Sequence, residues 1–245
     1  MLFRNYVLAV ALCASLALTG CSSNSVSFPD DADPRLTNQE FSVQPASYGV
    51  ACLAGAAVVV TACIIQGRSR EVCLAAAAIG CAVAMGANAL MDRLRSSYNT
   101  REGQLDGLIA DMESNRQKAA MMASTAQAVY AEDKKKFKLL KAQIKKNKAD
   151  KADLENTVAR YDANIKVLKD NISYHERSIA SYARVQEKLS ADGDITLEEK
   201  KRLRECDKQI TRLKKSIKEI ESAYLAYSED SNVLHLALND GDKAA

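Results

Sequence analysis

The chain has 245 residues, a formal net charge of +3, 5% aromatic residues and no tryptophan. Charge this close to balance excludes a strong overall pull on nucleic acid, and so few aromatics exclude base-stacking platforms and a large aromatic core. Pro29, Pro34 and Pro45 are the only prolines, and neither Gly nor Pro occurs between Gly107 and Gly193, so nothing there compels a helix to stop. The expected fold class is all-α: an apolar helical hairpin followed by long antiparallel coiled-coil helices.

Residues 1–20 have the form of an export signal. Arg4 supplies a positive start, and the apolar run Tyr6 to Leu18 is too short to span a bilayer comfortably. The run ends in Leu18-Thr19-Gly20-Cys21, followed by Ser22 and Ser23. These residues resemble the lipobox of bacterial lipoproteins. The resemblance implies a diacylglycerol thioether on Cys21, cleavage before it, and acylation of the new amino group. Ser22, where an Asp would stand for retention at the inner membrane, resembles the pattern for release to the outer membrane. Inner-membrane retention stays open, since the rule varies between organisms. Two or three acyl chains anchor far more firmly than one, because each buried methylene contributes roughly 0.8 kcal/mol.

Residues 21–48 are rich in Ser, Asp and Pro without periodicity and are expected to form a flexible tether. Composition then changes abruptly. Gly49 to Gln66 is uncharged, Gly67 to Glu71 is a polar break, and Val72 to Met91 is uncharged again. Ala51-Cys52-Leu53-Ala54 recurs as Val72-Cys73-Leu74-Ala75. Residues 49–91 are therefore expected as an Ala/Gly-rich helical hairpin. It is similar to the glycine-zipper double-transmembrane segments of small envelope lipoproteins, although a strict GxxxG is missing. Either both arms span a bilayer, each just long enough at about 1.5 Å per residue, or they form a packed Ala-rich hairpin that only touches it. A turn near Arg68 brings Cys63 towards Cys73 and Cys52 towards Cys81. Two disulfides are permissible in an oxidising compartment; as small packing residues the four cysteines are equally at home.

Residues 92–228 read as the helical body. Tyr98, Leu105, Leu108, Met112, Met122 and Val129 keep a heptad-like rhythm, with a stutter before Phe137. From Phe137 the seam continues through Leu140, Ile144, Leu154, Val158, Tyr161, Ile165, Leu168, Ile172, Ile179, Tyr182 and Leu189. Its unbroken phase predicts a continuous helix across Asn147 and Lys151, about 150 Å long if it ran from Asp92 to Leu189. The alternative is a break there, since Lys145 and Lys146 would close one helix and Asp150, Asp153 and Glu155 would open the next. His175 falls in the seam as a polar layer.

A turn is expected at 191–195. Gly193 supplies a left-handed backbone, and Thr196 with Glu199 forms a capping box. The string resembles the second half of an EF-hand loop, but Lys188 stands where its first carboxylate would be, so a turn is the reading. A second seam follows through Leu203, Cys206, Ile210, Leu213, Ile217, Ile220, Tyr224 and Tyr227. Folding about Gly193 pairs Tyr182 with Leu203 and Tyr161 with Tyr224. Residues 229–245 are expected as a tail.

No nucleophile elbow, phosphate loop or HExxH occurs, and His175 and His235 are the only histidines, so no catalytic, cofactor or metal residue is assigned. The sequence points to a lipid-anchored periplasmic coiled-coil scaffold of the cell envelope, an accessory of a secretion or cell-wall machine. Its expected partners are the membrane, an envelope protein and further copies of itself, not nucleic acid. The alternative is an oligomerising, pore-like protein that uses the apolar hairpin.

Overall fold

The computed structural model describes residues 28–42, 86–146, 148–191 and 193–243. Cys21, Cys52, Cys63, Cys73 and Cys81 lie outside the described residues, as does the apolar hairpin apart from its last residues. The rest is all-α, as expected. Helix α1 (Ala87–Ser97) is short; α2 (Arg101–Ile144), α3 (Lys151–Ala191) and α4 (Leu197–Lys243) run for 44, 41 and 47 residues. No helix among the described residues is long and apolar enough to cross a membrane.

The three long helices form an up-down-up bundle in which α4 packs along both α2 and α3. Paired residues fix the directions. Arg101 meets Glu199 near the start of α2 and Lys134 meets Asp230 near its end, so α2 and α4 run parallel. Asn115 meets Tyr182 and Asp133 meets Arg160, so α3 runs against α2.

The continuous helix through Asn147 is not what forms. The chain leaves α2 at Ile144, and α3 begins at Lys151. The charge reversal noted in the sequence decides the matter. Lys141 closes α2, and the amides of Lys146 and Lys148 both donate to the Gln143 carbonyl at 3.0 Å. Asp150 then caps α3 by accepting the Asp153 N–H at 3.1 Å. The 150 Å rod is thus folded back on itself, and its longest helix (47 residues) extends about 70 Å.

A second interruption falls between α1 and α2. Thr100 accepts the Gly103 N–H and starts a new helix, while the Tyr98 ring lies back across it. A Cβ at Gly107 would stand 2.4 Å from Tyr98 Cε2, so the glycine is needed for that close approach. Ala87, Leu90 and Met91, read as the end of the apolar hairpin, are buried in the bundle instead.

The turn at Gly193 has φ 85°, and Thr196 and Glu199 exchange both bonds of the capping box, at 2.8 and 3.2 Å. The α3–α4 hairpin forms, but its register is displaced by about one turn. Tyr161 packs on Tyr227, not Tyr224, with ring centroids 5.0 Å apart, and Gln186 reaches Asp207 and the Leu203 carbonyl. The expected tail is not separate, because α4 continues to Lys243 and buries Leu234 fully. The stutter before Phe137 is real: the buried positions Val129, Asp133, Phe137 and Leu140 step by four, four and three within one helix.

Residues 28–42 also depart from the flexible tether expected of them. They form a turn-rich strap in the groove between α2 and α3. Leu36 is fully buried and Phe41 nearly so. The strap is held in shape by Asp33, whose carboxylate accepts both the Arg35 N–H and its guanidinium. Arg35 also forks onto Glu132 of α2 at 2.9–3.0 Å.

Candidate functional site: polar layers inside the bundle

On α3 the fully buried column is not the isoleucines. Asn164, Asn171 and Ser178 are almost inaccessible, whereas Ile165, Ile172 and Ile179 are half-buried beside them. The reason is that α3 has neighbours on both flanks, α4 on one and the strap and α1 on the other. The centre of its buried face is therefore shifted by one residue from the apolar stripe.

Two layers built to one pattern cross the interior. In the first, Asn115 donates to the Tyr182 hydroxyl at 3.2 Å, and Tyr182 donates to Asp111 at 2.5 Å. In the second, Asn164 donates to the Tyr227 hydroxyl at 3.3 Å, and Tyr227 donates to Asp133 at 2.8 Å. Asp133 spends its other oxygen on Arg160 at 3.0 Å. Asn164 completes itself by accepting the Asp33 N–H of the strap at 2.8 Å. The strap is thus wired through one amide and one phenol into the carboxylate of α2. Tyr130 and Tyr161 pack edge-on against the Tyr227 ring, and Tyr130 donates to Asp230, which also holds Lys134.

The electrostatics follow from burial. Desolvation pushes the Asp111 carboxyl up to about 6, against the pull of the Tyr182 hydroxyl. His175, also fully buried, has no hydrogen-bond partner on either ring nitrogen among the described residues and is pushed down to about 3 by desolvation, aided by Lys118. Burial raises Tyr182, Tyr227 and Tyr161 above the usual phenol range, so each stays a neutral donor or ring. Cys206 is buried with a free thiol, pushed up to about 12 by desolvation, and is therefore unreactive. At the bundle's end Glu199 is held down at about 2 by Arg101, whose guanidinium grips it at 2.7 Å. That carboxylate would have been the last ligand of an EF-hand; it is already taken.

Among the described residues no group of three or more His, Cys, Asp or Glu is placed to hold a metal ion. A recess of about 520 Å³ beside Gly86, lined by Arg184, Glu187 and Lys188, touches neither Asp111 nor Asp133. The layers are cross-links between helices. Glu199 is legible in the sequence as part of the cap of α4, whereas Asp111, Asp133 and Asp230 are not singled out there. The available signal was spacing: Asp133 lies three heptads beyond Met112, and Asp111 three residues beyond Leu108, on the rhythm of the apolar seam. No family model, curated protein or solved structure matches the chain.

Proposed function

We propose that this chain is a lipid-anchored scaffold of the bacterial envelope. Acyl chains on Cys21 hold it at the outer membrane, facing the periplasm, and the helical body is a docking surface for an envelope partner and for further copies of itself. In this reading it acts without catalysis, as an accessory of a secretion or cell-wall machine. The observation that carries the reading is how the interior polar groups are used. Asp111, Asp133, Asp230 and Glu199 are each tied to a tyrosine, lysine or arginine of another helix. They stiffen long helices, and their carboxylates are engaged between helices and not offered to a cleft. A folded-back bundle of about 70 Å reaches less far than a single rod would, so docking near the anchoring membrane fits better than bridging by length.

Mass spectrometry of the N-terminal peptide from cells tests the anchor: a thioether-linked diacylglycerol and an acylated amine on Cys21 are expected. An intact residue 1–20 segment with a free Cys21 thiol would sink it. Photo-crosslinking in cells from the exposed Leu225 of α4 identifies the partner. Capture of one envelope protein in defined stoichiometry is the expected outcome.

A further inference from the structure

The end of the bundle where α2 turns into α3 carries a charge excess unmatched elsewhere in the protein. From Lys134 to Lys148 the chain has eight lysines and no acidic residue. Lys134 is the one drawn inwards, to Asp230 at 2.7 Å. The other seven (Lys135, Lys136, Lys138, Lys141, Lys145, Lys146 and Lys148) are exposed. None of the seven makes an ion pair within the described residues; Lys141 lies over the Phe137 ring, 5.5 Å from its centroid. The carboxylates that open α3 follow beyond the turn: Asp150 caps it, Asp153 lies in its first turn and Glu155 faces Lys151.

Two large apolar side chains are exposed at this end of the bundle, Leu139 among the lysines of α2 and Leu236 on the neighbouring α4. Leu139 is 70% exposed and Leu236 65% exposed. Because α2 and α4 run parallel and Lys134 is level with Asp230, Leu139 and Leu236 project at the same height of the bundle. Solvation explains lysines on a helix face, but it does not explain a bare leucine among them and a second beside them on α4. An exposed leucine among the lysines of α2, with a second at its level on α4, matches an interface of anionic headgroups over hydrocarbon. A nucleic acid or an acidic polysaccharide would use the charge and leave the leucines idle, and among the described residues no exposed aromatic is present there to stack on a base.

We propose that this end of the bundle is a peripheral binding surface for anionic phospholipid membrane, with Lys135, Lys138, Lys145 and Lys146 meeting the headgroups and Leu139 and Leu236 entering the interface. It goes beyond the anchor at Cys21 and does not depend on it. The opposite end, with Gly193 and the start of α1, is separated from it by the length of α2, 44 residues or about 65 Å.

The test uses the full chain carrying Cys21→Ala, which bars acylation. Sedimentation with phosphatidylcholine vesicles, with and without phosphatidylglycerol, is measured at physiological salt. Binding that requires phosphatidylglycerol is expected. Replacing Lys135, Lys138, Lys145 and Lys146 by Gln should weaken it by roughly fivefold per lysine, with helical circular dichroism unchanged. Leu139→Ser with Leu236→Ser should weaken it severalfold more than it weakens binding to heparin or duplex DNA. As a separate readout, Leu139→Trp introduces the chain's only tryptophan, and its emission should shift to the blue on the anionic vesicles. Binding indifferent to phosphatidylglycerol or to the four lysines overturns the proposal. So does an unshifted tryptophan, or leucine variants that hold vesicles and soluble polyanions equally well, which would make this a general polyanion surface.

Discussion

Tyr227 of α4 donates to Asp133 of α2 at 2.8 Å in the centre of the bundle, and through Asn164 the same hydroxyl is linked to the backbone of the strap. The phenol ties α4 to both α2 and α3 at one point, and Arg160 of α3 balances the carboxylate. A tyrosine at such a point offers the core a large ring and the carboxylate a donor that stays neutral.

Tyr227→Phe keeps the ring and removes the donor, so Asp133 and Asn164 each lose a bond. A loss of about 1–3 kcal/mol is expected by urea denaturation. Asp133→Ala should cost more, about 3–5 kcal/mol, because it leaves Arg160 without its partner in a largely buried site. Equal stability of wild type and Asp133→Ala would mean that the layer contributes nothing.

Asp111 and His175 give opposite responses to acid. The folded value of Asp111, about 6, lies above its ordinary 3.8, so its ionised form weakens the fold at neutral pH; stability is regained as pH falls from about 6 to 3.8. The folded value of His175, about 3, lies below its ordinary 6.5, so its contribution is complete above 6.5 and is lost as pH falls towards 3. The two slopes largely cancel between pH 6 and 4. Asp111→Asn should raise stability at pH 7 and expose a steeper acid loss, while His175→Leu should do the reverse in acid, each by on the order of 2–4 kcal/mol. Denaturation midpoints from pH 7 to 4 measure both. Parallel curves for the two variants would show that neither group is desolvated as described.

Gly107→Ala should destabilise the protein although alanine is the better helix former. Its Cβ would meet the Tyr98 ring at 2.4 Å, and relieving that overlap costs about 1–3 kcal/mol, more than the propensity gain of about 1 kcal/mol. In the Tyr98→Ala background the same substitution should be neutral or stabilising. A double-mutant cycle with no coupling would mean that the ring does not lie there.

Leu36→Ala should free the strap before it unfolds the bundle. The bond after Arg35 is a tryptic site, shielded by the burial of Leu36 and by the grip of Arg35 on Glu132. Faster cleavage there, with the melting of α2 to α4 changed little, is the expected result. Cleavage at the wild-type rate would show that the strap is held by something other than its leucine.

The elements themselves were legible in the sequence wherever one residue type carried the signal. Heptads declared helices, Gly193 declared the turn, and Thr196 with Glu199 declared the cap, because each depends on neighbours a few positions away. The break after Ile144 was misread because heptad phase is kept by accident across a short loop, and the periodicity of Leu140, Ile144 and Leu154 cannot distinguish a turn from a polar layer. The shifted face of α3 was hidden for a different reason. Whether Asn164 or Ile165 points inwards depends on what lies on the flank away from α4, and the strap, which meets Asn164 there through Asp33, sits far away in the chain. Nor could the sequence show which aspartates face a tyrosine, since Asp111 and Tyr182 become neighbours only when the third helix has returned.

Asp33 binds Asn164 across 131 residues, which sets an order of events for a chain delivered from its N-terminus. The strap emerges first and finds no seat until α3 has been completed and laid against α2. For all that interval Leu36 and Phe41 are bare, and closure over this distance is among the slowest steps available to the fold. The strap therefore waits through the making of two long helices before it is put away, and a holding chaperone would have its longest opportunity there.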